Sequence, residues 1–180
     1  MNNKLFRISG IAAITCAILY IASVGISFAG GSSSMGQILY VASSLLFLVV
    51  VFVLYLELRS KAGLYVLVGA VLLAVMTIWS LFIDPTQPSA IFGPLTIAYG
   101  LGLILLGWAQ LRSSMYPRTI GYLAIATGVI ALAAGAAILV GASYDVFGLL
   151  NLVLSVPYLI WLVWLGWIQL KSQGTSPQLA

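Results

Sequence analysis

All ten charged residues of this chain lie at the ends of long apolar runs, and the basic ones stand only at every second end. The basic residues are Lys4, Arg7, Arg59, Lys61, Arg112, Arg118 and Lys171. The other junctions between runs hold only two charged residues, Asp84 and Asp145. Glu57, which lies near Arg59, is the tenth charged residue. Cytoplasmic junctions of membrane proteins carry an excess of Lys and Arg, so this alternation predicts a chain that crosses a bilayer repeatedly.

Six of these runs are long enough to span a bilayer as helices. Their predicted ranges are 8–29, 37–56, 64–83, 90–111, 119–142 and 146–170. At about 1.5 Å per helical residue, each range covers the hydrocarbon thickness of about 30 Å. The runs lack the period-two alternation of membrane strands. Short connections force neighbouring helices to be antiparallel, so the predicted fold is all-α: six transmembrane helices as three antiparallel hairpins in one bundle.

Turn-forming residues separate the runs, at 30–34 (GGSSS), 84–88 (DPTQP) and 115–117 (MYP). No apolar run is left for a second domain, so we expect one transmembrane domain over 1–171 and a polar, disordered tail over 172–180. The first run, preceded by two bases, loosely resembles a signal peptide. Its apolar core over 8–29 exceeds the roughly 7–15 residues of such a segment, which favours a retained span.

Composition excludes several classes of function. Hydrophobic residues make up 63% of the 180 residues and charged residues 6%, against about 25% charged in a soluble domain. The net charge of +4 is scattered over four junctions, which provides no basic groove for nucleic acid. The chain has no histidine and a single cysteine, Cys16, so we expect no metal, no cofactor and no disulfide.

The three acidic residues stand at predicted helix ends rather than in mid-membrane. Asp84 precedes Pro85 in a turn, Asp145 precedes the sixth span, and Glu57 lies two residues from Arg59. Catalysis by general acids and bases needs groups that this arrangement does not provide, so the sequence predicts no enzymatic activity.

The second, fourth and sixth runs end with similar six-residue sequences, at residues 55–60 (YLELRS), 108–113 (WAQLRS) and 167–172 (WIQLKS). The first, third and fifth runs each open with a base shortly before a glycine. A helical hairpin of somewhat over fifty residues repeated three times would explain both patterns. Convergence is the alternative, because an aromatic residue followed by a base is generally favoured where helices leave the cytoplasmic face.

The fifth run carries small residues on one helical face, at Ala124, Gly128, Ala131 and Gly135. Small residues let two helices approach closely and gain van der Waals contact that lipid cannot match. We therefore predict a helix-packing face inside the bundle. A dimer interface or a pore lining is the functional alternative.

The sixth run combines polar residues with a proline. Asn151, Ser155, Tyr158 and Trp161 surround Pro157, which predicts a kink and a free carbonyl at Val153. These four polar and aromatic residues are the candidate ligand-binding residues of the chain. The alternative, which the pattern favours, is a structural kink whose carbonyl is satisfied by a neighbouring helix or by water.

Three tryptophans of this run, Trp161, Trp164 and Trp167, are spaced three residues apart and lead towards Lys171. Aromatic cages bind organic cations, but tryptophans near a basic helix end more often anchor a helix at the headgroup level. Anchoring is the favoured interpretation, although Trp161 lies deepest.

The arrangement resembles small prokaryotic six-span integral membrane proteins of a domain-of-unknown-function type. The resembling residues are 7–10 (RISG), 116–121 (YPRTIG) and Pro157-Tyr158 with Trp161. The resemblance implies a six-span fold and supplies no activity or site residue.

Two functions remain. The first is a non-catalytic scaffold or accessory subunit that packs against partner helices or lipid. The second is a facilitator or binding protein for a small uncharged or apolar solute, using a polar pocket at the kink of the sixth span. The expected partners are the lipid bilayer and either other membrane subunits or further copies of the chain. The expected location is a prokaryotic cytoplasmic membrane, with both termini on the cytoplasmic side.

Overall fold

A computed structural model describes residues 3–28, 33–82 and 91–171, and the described part of the chain contains helices and no strand. The five helices are α1 (Asn3–Phe28), α2 (Ser33–Ser80), α3 (Phe92–Arg112), α4 (Arg118–Leu139) and α5 (Tyr144–Lys171). By length and composition, all five are able to cross a membrane. The all-helical class predicted from the sequence is therefore confirmed. The tail over 172–180 and the turn over 84–88 lie outside the described residues.

The prediction of six helices in three hairpins is not matched, because the second and third predicted spans both lie in α2, which has a kink at Gly63. Residues 57–62 contain leucine, arginine, lysine and alanine, which are good helix formers, and no proline interrupts them. The helical backbone therefore continues through 57–62, and the two parts of α2 meet at a kink at Gly63. Only Gly63 departs from helical geometry, with φ 39° and ψ −108°. A side chain at that φ would clash with the backbone, so glycine suits this position.

A tight connection joins α3 to α4 because Ser113 and Pro117 both leave the helical region. Ser113 has φ −89° and ψ 133°, and Pro117 has φ −58° and ψ 140°. The Ser113 hydroxyl accepts a hydrogen bond from the backbone N–H of Met115 at 3.1 Å. Five residues between two helix ends impose an antiparallel pair, and α3 packs along α4.

Glycine also ends α4. Gly141 has φ 83°, the N–H of Ala142 donates to the carbonyl of Ala137 at 2.9 Å, and the N–H of Gly141 donates to that of Ile138 at 3.0 Å. These two bonds form a Schellman motif, which satisfies carbonyls that the end of the helix would otherwise leave exposed.

The chain divides into two compact units, each described separately. Unit 1 comprises Met1–Val53 and Leu162–Ala180, and unit 2 comprises Leu54–Trp161. In unit 1, α1 runs antiparallel to the first part of α2. The Ser23 hydroxyl donates to the carbonyl of Gly36 at 2.8 Å, and the Cys16 sulfur lies 3.6 Å from the Ser43 hydroxyl. The single domain expected over 1–171 stays a prediction.

In unit 2, the second part of α2 runs antiparallel to α3. The Tyr65 ring meets the Trp108 ring edge-on at a centroid distance of 4.9 Å, and Gly69 lies against Gly102. Hydroxyls within these helices bond to their own backbone, as Thr96 does to the carbonyl of Phe92 at 2.7 Å. Such bonds remove polar groups from contact with lipid.

Candidate functional site

The helices α3 and α4 meet through six glycines that we call the glycine row. Its pairs are Gly93 with Gly135, Gly100 with Gly128, and Gly107 with Gly121. A Cβ atom added at Gly128 would lie 2.5 Å from the carbonyl oxygen of Gly100, and one added at Gly100 would lie 2.6 Å from that of Gly128. No larger residue fits at this separation, so the row fixes how closely the two backbones approach.

The predicted packing face lies within this contact. Gly128 and Gly135 belong to the glycine row, Ala124 lies beside Gly107, and Ala131 is fully buried. Sequence reasoning missed the partner face on α3. The signal was a spacing of seven residues, which recurs at 93, 100 and 107 and again at 121, 128 and 135. Seven residues make about two helical turns, so such glycines lie on one face.

Two other glycine contacts occur singly. In unit 2, a Cβ added at Gly102 would lie 3.0 Å from the carbonyl oxygen of Gly69. In unit 1, α1 meets α5 where Gly10 faces Gly166, and a Cβ added to either glycine would lie 2.7–2.8 Å from the other's carbonyl oxygen.

The three similar sequences at 55–60, 108–113 and 167–172 each carry a polar residue at the third position. All three side chains are buried: Glu57, Gln110 and Gln169. The Tyr116 hydroxyl donates to the Glu57 carboxylate. The Trp161 indole N–H donates to the Gln110 side-chain oxygen at 3.2 Å. The sequence indicated a boundary position for Glu57 but gave no sign that Tyr116 would cover it.

Each following base lies at the surface. Arg112 stacks over the Trp108 ring at 3.8 Å, and Lys171 lies 4.9 Å from the centre of the Trp167 ring. Both pairs are four residues apart, so each base lies above the aromatic ring of the preceding turn. In each of these sequences, the amide or acid side chain is therefore buried and the basic side chain is exposed.

The candidate residues of the predicted sixth span separate into two groups along α5. Ser155 donates to the carbonyl of Asn151 at 2.8 Å, so its hydroxyl is occupied by its own helix. Pro157 lies inside α5, which continues through it. Tyr158 and Trp161 instead turn towards α3, where Tyr99 and Gln110 meet them.

These four side chains form what we call the amide–aromatic cluster: Tyr99, Gln110, Tyr158 and Trp161. The Tyr158 ring lies 6.2 Å from the Tyr99 ring in an edge-on arrangement and 6.3 Å from the Trp161 ring in a stacked one. Trp161 is fully buried, so the headgroup-level anchoring expected for it does not occur in unit 2. Trp167, in contrast, is 53% exposed.

One polar atom of this cluster has no partner. The Gln110 amide nitrogen is buried and lacks a hydrogen-bond acceptor among the described residues. An orphaned amide donor in a medium of low dielectric constant costs about 1–3 kcal/mol. Gln110 thus contributes a buried amide donor that the described residues leave unpartnered.

The remaining reactive residues do not assemble with these groups. Cys16 is buried beside Ser43 in unit 1, and Asp84 lies outside the described residues. Among the described residues, no group of three or more His, Cys, Asp or Glu side chains is placed to bind a metal ion.

Comparison with known proteins adds no assignment: no family model, curated protein or solved structure matches this chain.

Proposed function

We propose that this protein is a non-catalytic integral membrane protein that serves as a scaffold or accessory subunit. The observation that carries the proposal is that the candidate ligand residues of α5 already have partners within the protein. The Ser155 hydroxyl donates to the backbone carbonyl of Asn151, the Trp161 indole N–H donates to the Gln110 side chain, and the Tyr158 ring packs against aromatic rings. A conduit for solutes needs polar groups that face the solute, and these face the protein.

The outward faces of the helices support the same proposal. Large apolar side chains are exposed along every helix, as at Ile18, Phe52, Leu101, Tyr122 and Val156. Small residues form the closest helix contacts, while many bulky apolar side chains face outward, as in proteins surrounded by lipid. The proposed partners are lipid and either other membrane subunits or further copies of this chain.

We further propose six membrane crossings, with α2 crossing twice and turning at Gly63. The 48 residues of α2 would extend about 72 Å as one straight helix, more than twice the hydrocarbon thickness. Gly63 and the charged residues Glu57, Arg59 and Lys61 lie near the middle of α2. A turn there places all seven bases, and both termini, on the cytoplasmic side of a prokaryotic membrane. Labelling a cysteine introduced at Lys61 from each side of the membrane tests this crossing.

Removing polar groups from α5 tests the proposed function. The double variant Asn151→Leu, Tyr158→Phe deletes an amide and a hydroxyl while roughly keeping volume. We expect it to fold and to retain the proteins and lipids that co-purify with the parent. In liposomes, neither protein should accelerate the passage of glycerol, urea or erythritol. Flux through the parent would contradict the proposal, and its collapse in a well-folded double variant would assign the flux to these polar groups.

A facilitator or binding protein for a small uncharged solute is the second candidate. The unpartnered amide nitrogen of Gln110 favours it, because this group is able to donate to a solute oxygen beside the aromatic rings. Gln110→Leu in the same flux assay separates the two functions. Loss of a parental flux would identify the facilitator, and an absence of flux in both proteins supports the scaffold.

A further inference from the structure

Four basic side chains of unit 2 share one end of its helices. Arg112 ends α3 and Arg118 begins α4, so the short connection places both at the same end of this antiparallel pair. Two contacts bring α2 to that end: Tyr116 bonds to Glu57, and Tyr65 packs on Trp108. Arg59 and Lys61 lie between these contacts along α2. We call Arg59, Lys61, Arg112 and Arg118 the basic end.

The basic end carries four bases and one acid, Glu57, which leaves an excess of three positive charges. Glu57 is 4% exposed and accepts a hydrogen bond from Tyr116, whereas all four bases are exposed. Residues 57–65 and 108–118 contain no other charged side chain. The exposed charge at this end is therefore entirely positive.

Aromatic and apolar side chains border these bases. The Arg112 guanidinium is held over the Trp108 ring, whose edge contact with Tyr65 restrains it. Leu64 is 70% exposed and Met115 is 44% exposed at the same end. Exposed bases beside exposed apolar groups suit the boundary between headgroups and acyl chains, where each group finds its preferred surroundings.

We propose that the basic end binds the headgroups of anionic phospholipids. A guanidinium matches a phosphate with two parallel hydrogen bonds, and a positive surface attracts the negative charge of such a leaflet. The inference names the lipid class for the proposed scaffold and rests on the proposed position of this chain in a membrane. The general bias places basic residues on the cytoplasmic side of a membrane, whereas binding at the basic end also predicts a preference for anionic over zwitterionic lipids.

Lipid retention measures that selection. The protein in mild detergent is mixed with equal amounts of phosphatidylglycerol and phosphatidylcholine of the same acyl chains, and the lipids that stay bound are quantified by mass spectrometry. We expect the parent to retain mainly phosphatidylglycerol. Arg112→Gln with Arg118→Gln should reduce this preference by roughly fivefold for each charge removed. Arg112→Lys with Arg118→Lys keeps the charges and should retain most of the preference.

A second measurement uses the parent alone and does not depend on how the variants fold. Raising the salt concentration from about 0.05 M to about 0.5 M should abolish most of the preference, since salt screens exposed charges. Inorganic phosphate, added at matched ionic strength, should not displace the lipid. Displacement by phosphate would indicate a site for soluble anions and overturn the lipid assignment.

Equal retention of both lipids by the parent, or an unchanged preference in a well-folded double glutamine variant, would also overturn it. These results differ from those that test the proposed function. Equal retention of both lipids by the parent, without solute flux, refutes only the lipid assignment, whereas flux through the parent refutes the scaffold.

Discussion

The contact between α3 and α4 and the contact between α1 and α5 share the same glycine packing at one end and differ further along the helices. In the first contact, Gly107 faces Gly121, and a Cβ added at Gly121 would also meet Leu111. In the second contact, Gly166 faces Gly10, and a Cβ added at Gly10 would also meet Leu170. Each leucine lies four residues after the glycine of its own helix. The two contacts lie in different units of the chain, yet their geometry at this end is the same.

The agreement extends to the opposite helix. A Cβ added at Gly107 would meet Ala124 and Ile125, and one added at Gly166 would meet Ala13 and Ile14. In both helices the alanine and isoleucine stand three and four residues after the facing glycine. Anchoring at the membrane surface accounts for a tryptophan and a base, but not for these interior neighbours. The matching contacts favour a repeated hairpin over convergence.

The difference lies seven residues further along. The row continues in α3 and α4 with Gly100 and Gly128, whereas α5 and α1 carry Leu159 and Ala17 at these positions. The shared glycine pair therefore sets how one end of each contact packs. The additional glycines extend close backbone contact along α3 and α4 alone.

The largest effect should come from a bulky residue within the glycine row. Gly128→Leu forces a side chain against the Gly100 carbonyl, so the two helices must separate. We expect a loss of at least about 3 kcal/mol in the free energy of unfolding, or no folded protein. Thermal unfolding in detergent measures it. Gly25→Leu is the matched control, since an added Cβ there meets nothing within 4 Å. Equal stability of the two variants would show that the row does not determine packing.

Smaller changes test whether the two shared contacts are equivalent. A Cβ added at Gly121 lies 2.7 Å from the Gly107 carbonyl oxygen, and one added at Gly10 lies 2.8 Å from that of Gly166. We expect Gly121→Ala and Gly10→Ala each to destabilise the protein by about 1–3 kcal/mol. Gly148→Ala, with open space around it, should be neutral or slightly stabilising. A loss confined to Gly121→Ala would break the proposed equivalence.

Much of the helical fold follows from the sequence because apolar length and turn residues determine where helices form. Pro117 stands directly before α4, where the sequence predicts a turn, whereas the predicted turn over 84–88 lies outside the described residues. Residues 57–62 stay helical because they are good helix formers, and the helix is interrupted only at Gly63, at the end of the predicted break.

The candidate site was predictable only in part. Trp161 and Tyr158 were identified as candidates from their position near Pro157, and the structure adds Gln110 and Tyr99 from another helix. One sequence does not reveal which face of α3 opposes α5. Partners across helices depend on how the helices pack, which local patterns do not specify.

Accessibility of single cysteines tests six crossings most directly. Cysteine is introduced separately at Lys61, Ser114 and Ser143, all exposed, and labelled with a membrane-impermeant maleimide in intact cells and in inside-out vesicles. Cys16 is fully buried and serves as the unlabelled background. We predict that Lys61→Cys and Ser114→Cys react only in inside-out vesicles, and Ser143→Cys only in intact cells. Reaction of Ser114→Cys in cells, or of Lys61→Cys and Ser114→Cys on opposite sides, would contradict the turn at Gly63 and the proposed topology.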